Sequence, residues 1–125
     1  MSFKLKPPYN IDNTPIYSVD EEDGVLGRAN NNGTIIINNK IKDPKQLDEV
    51  IKHEKIHVED FMLFEKTNGK KGMDYDDDKI TYNNKSYARK NGKIKYKGKW
   101  RQDGWPGFPW EEKAYKKENK WVLKV

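Results

Sequence analysis

Apolar residues in this 125-residue chain fall into short runs, with one long periodic stretch between them. Val25 to Ala29 reads as a short strand. Asn30-Asn31-Asn32-Gly33 reads as a turn, because Asn and Gly tolerate positive φ. Thr34 to Ile37, with three consecutive isoleucines, suits a pleated strand, and Asn38-Asn39 closes it. Asp43 then offers an N-cap, Pro44 a first helical position and Gln46 an approximate capping box. From there to about Phe64 nothing interrupts a helix. Leu47, Val50, Ile51, Val58, Phe61 and Met62 form one apolar stripe along it, while Lys45, Asp48, Lys52, Lys55 and Glu59 point away. Ile56 and Leu63 fall off the stripe, which calls for a second element on that side.

The pattern changes after Phe64. Glu65 to Asp78 is polar. Ile80 to Tyr82, Ser86 to Arg89 and Lys93 to Tyr96 are short strand candidates separated by Asn83-Asn84 and Asn91-Gly92, and Lys97-Gly98 turns the chain again before Trp100. Two-residue turns of this kind predict a small antiparallel meander. Gly104 to Pro109 reads as a rigid loop, Glu111 to Glu118 as a short helix, and Trp121 to Val125 as an apolar tail suited to a strand. Residues 1–23, with Pro7, Pro8, Pro15 and the acidic run Asp20 to Asp23, read as an irregular leader. The fold class is α+β in one domain, residues 1–125, with 65–105 as an inserted β-rich segment.

Composition narrows this further. Only 34% of the residues are hydrophobic and 36% are charged, so the core is small. Four Trp, seven Tyr and four Phe argue against a disordered chain. There is no cysteine, which excludes disulfides, thiolate ligands and thiol nucleophiles. The first residues have no apolar h-region and no stretch has transmembrane length, so a soluble, cytoplasmic protein is expected.

The helix carries the chemistry. His53-Glu54-Lys55-Ile56-His57 is an HExxH motif, and its histidines are the only two in the chain. Residues four apart lie about 40° apart around a helix, so both imidazoles reach one metal ion. Glu54 projects beside them, where it can take a proton from a metal-bound water. The expected metal is a single zinc ion. A third ligand must be Asp or Glu, since no other His exists. Glu111 is the candidate, in Pro109-Trp110-Glu111-Glu112-Lys113-Ala114-Tyr115: the small Ala114, three residues on, lets two helices approach. Glu112 is the fallback. Two His, one Glu and an open position make a catalytic arrangement.

A strand, an HExxH helix, a variable segment and then Glu-x-x-Ala resembles the zincin metallopeptidases of the gluzincin type. The nearest likeness is to minimal versions, including small ones encoded by bacteriophages. The resemblance spans about residues 24–64 and 106–118. It implies a zincin-like core, zinc held by His53, His57 and Glu111, and Glu54 as general base and acid. It also implies a peptide or protein substrate extended along an edge strand at Thr34 to Asn38, and a place in a host cytoplasm or virion. Tyr115, one turn beyond the third ligand, is a candidate oxyanion donor, although a core tyrosine is the commoner use of such a residue. Asp60 or Glu59 is expected to hold a histidine ring. The rival reading is a non-catalytic virion or complex component whose zinc site is structural, helping a small core to fold.

Two further features have ordinary readings. Asp74 to Asp78 lacks the Gly and Glu that an EF-hand loop needs, with Lys79 and Lys85 in their places, so it reads as a solvated acidic loop. Lys90, Lys93, Lys95, Lys97, Lys99 and Arg101 interleave with Tyr87, Tyr96 and Trp100, a composition that can bind single-stranded nucleic acid. Alternation along a strand equally places lysines on a solvated face, and that reading is preferred because sequence does not show whether the rings are exposed. The net charge of +5 fits an ordinary lysine-rich surface.

Overall fold

The structure is a computed structural model that describes residues 14–21 and 25–123. It is α+β, with two helices and two sheets. The first sheet comprises β1 (Ile16–Val19), β2 (Gly27–Ala29) and β3 (Ile35–Asn38). Helix α1 (Pro44–Lys66) follows. The second sheet holds β4 (Met73–Tyr75), β5 (Lys79–Tyr82), β6 (Lys85–Lys90), β7 (Lys93–Tyr96) and β8 (Lys99–Gln102). Helix α2 (Pro109–Leu123) ends the described chain.

The first sheet runs β1-β3-β2, with β1 parallel and β2 antiparallel to β3. Two expectations change here. The leader is not wholly irregular, because Ile16–Val19 pairs with β3 directly after Pro15, whose carbonyl accepts from the Ile35 N–H; residues 1–13 lie outside the described residues. The strand at Thr34 to Asn38 is not an edge. It is flanked on both sides, and β2 is the edge on the side of the HExxH helix. Alternation in β3 buries Ile35 and Ile37 against Val50, Ile51 and Val58 of α1, joined by Ile16 of β1.

Helix α1 starts as its sequence directs. The Asp43 carboxylate accepts from the Lys45 N–H, and Pro44 occupies the first turn. The buried residues cover a wider arc than the apolar stripe, adding Ile56, fully buried, as well as His53, His57 and Asp60. The added side faces α2, which packs along α1. Met62, at the outer margin of the stripe, is 63% exposed, so the stripe ends before it.

The second sheet is the expected meander, ordered β4-β5-β6-β7-β8. Asn83 and Asn84, Asn91 and Gly92, and Lys97 and Gly98 all take positive φ, the geometry that two-residue hairpins require. One face buries Met73, Ile80 and Ile94 against Phe61 of α1 and against Phe108 and Trp110. Phe108 and Trp110 stack with centroids 4.8 Å apart. In place of the expected tail strand, α2 runs on through Trp121 to Leu123; residues 124–125 lie outside the described residues. The acidic run is a β4 end and a turn, in which the exposed Asp76 carboxylate accepts from the Asp78 and Lys79 N–H groups.

Gly72 sets how closely the meander approaches α1. Its φ is +82°, and a Cβ there would sit 2.3 Å from the Asp60 carbonyl oxygen and 2.5 Å from the Phe64 nitrogen. Backbone cannot retreat from such a contact as a side chain can. Gly33 has a φ of +91° with open space around it. Gly33→Ala is expected to cost about 1–2 kcal/mol, the backbone strain alone, whereas Gly72→Ala should cost clearly more. Urea denaturation of the two variants measures the difference. Equal losses would mean that the packing at Gly72 is loose.

Candidate metal centre

The two helices meet at a buried polar cluster. His53 and His57 project from neighbouring turns of α1, their ring centroids 4.9 Å apart and nearly perpendicular. Glu111 enters from the first turn of α2. One oxygen, Oε1, receives both histidines: it lies 2.9 Å from Nε2 of His53 and 3.1 Å from Nε2 of His57. All three residues are buried, and their donor atoms lie within 4.8 Å of one another. Ala114, fully buried, provides the close helix contact that this geometry needs. Glu112 is exposed on the other side of α2.

The group is able to hold a metal ion. Two imidazole nitrogens and a carboxylate oxygen form a donor set suited to zinc and similar divalent ions. The nitrogens already converge on a single point. With Nε2 turned to Glu111, Nδ1 of His57 is buried and has no hydrogen-bond partner.

Electrostatics couple the three residues in the metal-free chain. Burial pushes the Glu111 carboxyl up, but hydrogen bonds from His53 and His57 and their attraction outweigh it and hold its pKa down at about 2. Burial pushes His57 down, yet the hydrogen bond to Glu111, together with the charges of Glu111 and Glu54, carries it above its ordinary value.

Comparison with family models, curated proteins and solved structures finds no match. The site's chemistry therefore rests on its own geometry.

Glu54 is buried beside the histidines and lines the same cleft, of about 820 Å³. The cleft lies between β2 and the meander, with α1 as its floor and Glu111 and Tyr115 at one side. Gly27 of β2 lets the strand approach: a Cβ there would lie 2.9 Å from Val50 Cγ1 and 3.4 Å from Glu54 Cγ. Tyr115 is not a core residue. It is 41% exposed, with its ring tilted over that of His53 at 4.3 Å. Asp60 is fully buried, but it accepts from the Lys113 ammonium of α2 and not from a histidine, and its Oδ2 is unpartnered. Glu59 is exposed.

Sequence reasoning missed the Asp60–Lys113 pair and the cleft wall made by Tyr75, Arg89 and Asp103 of the meander. Arg89 is fixed there by the Asp76 carbonyl at 2.8 Å, the Asp103 carboxylate at 3.5 Å and the Tyr75 ring at 5.0 Å. No spacing signal links these residues to the motif, because the fold alone brings them together.

The pKa shifts set the sign of the pH response. The depressed Glu111 value stabilises the metal-free fold above its ordinary pKa of 4.5, and that contribution is lost as pH falls toward about 2. The raised His57 value stabilises below 6.5, and that contribution is lost as pH rises through the folded value. A metal ion must displace the proton that His57 shares with Glu111. Binding of Zn²⁺ or Co²⁺, followed by competition with a chromophoric chelator, should therefore weaken at least about tenfold from pH 7.5 to pH 5.5. Glu111→Ala should weaken it at pH 7.5, while Glu112→Ala should leave it unchanged. Equal effects of the two substitutions would remove Glu111 from the site.

Proposed function

We propose that this protein is a zinc-dependent peptidase, a minimal zincin of the gluzincin type. The convergence of the His53 and His57 Nε2 atoms on one Glu111 oxygen, on the floor of a cleft that also contains Glu54, carries this reading. His53, His57 and Glu111 would hold the ion. Bound there, zinc supplies Lewis acidity that lowers the pKa of a water and polarises a scissile carbonyl.

The chain's own residues supply the rest. Glu54 takes the proton of the attacking water and delivers it to the leaving amine. Its burial beside β2 restricts the carboxylate to the cleft side of the helix. The Tyr115 phenol, whose ring lies on that of His53 at the cleft, would donate to the developing oxyanion. Substrate lies along β2 and not along β3. Leu26, Arg28 and Asn30 face β3 in the hydrogen-bonding register: the Asn38 N–H donates to the Leu26 carbonyl and the Asn30 N–H to the Thr34 carbonyl. The N–H and C=O groups of Gly27 and Ala29 therefore turn away from β3, where an extended peptide can add as a strand. Val25 to Asn30 lines the cleft.

Glu54→Gln separates a catalytic site from a structural one. It should keep stoichiometric zinc while hydrolysis of a fluorescently quenched peptide library falls about 10²–10⁴-fold. Tyr115→Phe should lower kcat with less effect on KM, by about 10²-fold. Zinc retained by a wild-type chain that cleaves nothing in the library would favour a structural centre. A chain that binds no zinc would end the proposal.

A further inference from the structure

Charge is distributed very unevenly along this chain. Residues 79–102 contain seven Lys and two Arg and no acidic side chain; elsewhere sixteen basic residues face twenty acidic ones. The chain's net +5 therefore arises from one segment, β5 to β8, against an acidic remainder. A uniformly lysine-rich surface does not produce this division.

The fold sorts the segment onto two faces. Ile80, Tyr82, Tyr87, Ile94 and Tyr96 turn toward the core. Strand alternation and register place Ala88, Lys95 and Trp100 together on the opposite face, with Lys90 and Lys93 paired beside them. All five are exposed, and no helix of the described residues is packed on that face. Trp100 is 45% exposed, a large ring left in water by a chain that buries Trp110 and Phe108 completely. It sits directly across from Lys95, about 5 Å away. Lys93 and Lys95 are two residues apart on one strand, about 6.8 Å. None of Lys90, Lys93 and Lys95 forms an ion pair among the described residues.

We propose that this open face of the meander binds single-stranded nucleic acid, with a base stacked on Trp100 and the phosphates along Lys90, Lys93 and Lys95. Cations without counterions on β5 to β8, four strands that hold no acidic side chain, complement a polyanion; Asp74 of β4, on the same face at the far edge, is engaged by the Asn31 amide. The exposed indole decides among polyanions. It offers a π face to an unpaired base, which a duplex does not present. The positions around it, Ser86, Ala88 and Gln102, are small or polar, so no apolar patch surrounds the ring to enter a lipid surface. Lys90, Lys93, Lys95 and Trp100 do not line the cleft, and the proposal does not depend on peptidase activity.

The test is fluorescence anisotropy of a labelled 20-nucleotide oligothymidylate titrated with the full chain. Binding is expected at low salt, with log K falling against log[salt] with a slope of about −2, as for three phosphates. Trp100→Ala should lower affinity at least about fivefold, and Trp100→Phe should restore most of it. Lys93→Glu with Lys95→Glu should abolish binding. Lys45→Glu with Lys70→Glu changes net charge equally but lies outside β5 to β8, and should retain most of it. Circular dichroism and metal content report that each variant is folded. Equal losses in the two charge-reversed pairs would overturn the proposal by reducing it to net charge. So would no binding at low salt, tighter binding to duplex, or binding to phosphatidylserine vesicles without binding to the oligonucleotide.

Discussion

Nine side chains of α1 are buried, and four of them, His53, Glu54, His57 and Asp60, are polar. That burden shapes the rest of the molecule. A helix with an apolar stripe is satisfied by one sheet, and the first sheet covers that stripe. Burying polar groups costs free energy unless each finds a partner, so the flank that carries His53, His57 and Asp60 needs a polar surface against it. Helix α2 supplies it, with Glu111 for both histidines and Lys113 for Asp60. Helix docking here is as much an electrostatic fit as an apolar one. Removing one partner would strand a buried charge, which costs more than the pair contributes.

The meander completes the enclosure from a third direction. Its core face joins Phe61 of α1 to Phe108 and Trp110 at the start of α2, so it fixes where α2 begins. Trp110 precedes Glu111 directly and is 1% exposed. Its burial therefore sets the rotation of the first turn of α2, and with it the direction of Glu111. The inserted segment is thus mechanically part of the His53–His57–Glu111 cluster, although it contributes none of the three side chains.

Much of this is legible in the sequence where the cause is local. Asp43 and Pro44 define the start of α1, Asn83-Asn84 and Asn91-Gly92 define hairpins, and HExxH places two imidazoles on one face. Ala114 and Glu111 at a spacing of three suggested a close helix contact that the geometry contains. Features with distant causes were misread. Strand β1 is set by pairing with β3 across nineteen positions, as in Ile16 with Ile35, so the nearby Pro15 dominated the reading. The edge at Thr34 to Asn38 that the resemblance implies is removed by the same pairing, since β3 has β1 on one side and β2 on the other. Trp121 to Val125 is apolar enough for a strand, but the unbroken helix that begins at Pro109 takes in its first three residues. The sequence leaves Asp60 and Glu59 open as partners of a histidine ring, because both lie on α1; Glu59 is exposed, and the partner of Asp60 comes from another helix.

Sequence separation differs sharply between the parts of this fold. Every pairing in the meander joins consecutive strands, which close quickly because little chain entropy is lost. The Glu111 bonds to His53 and His57 span 58 and 54 residues. More than half of those residues belong to the meander, whose folded form brings the two helices closer than an open loop of that length would. As the chain leaves the ribosome the two histidines are made first, and the carboxylate that gathers them comes only after all five hairpin strands. The order of synthesis thus makes the His53–His57–Glu111 cluster a late event, one that waits for α2.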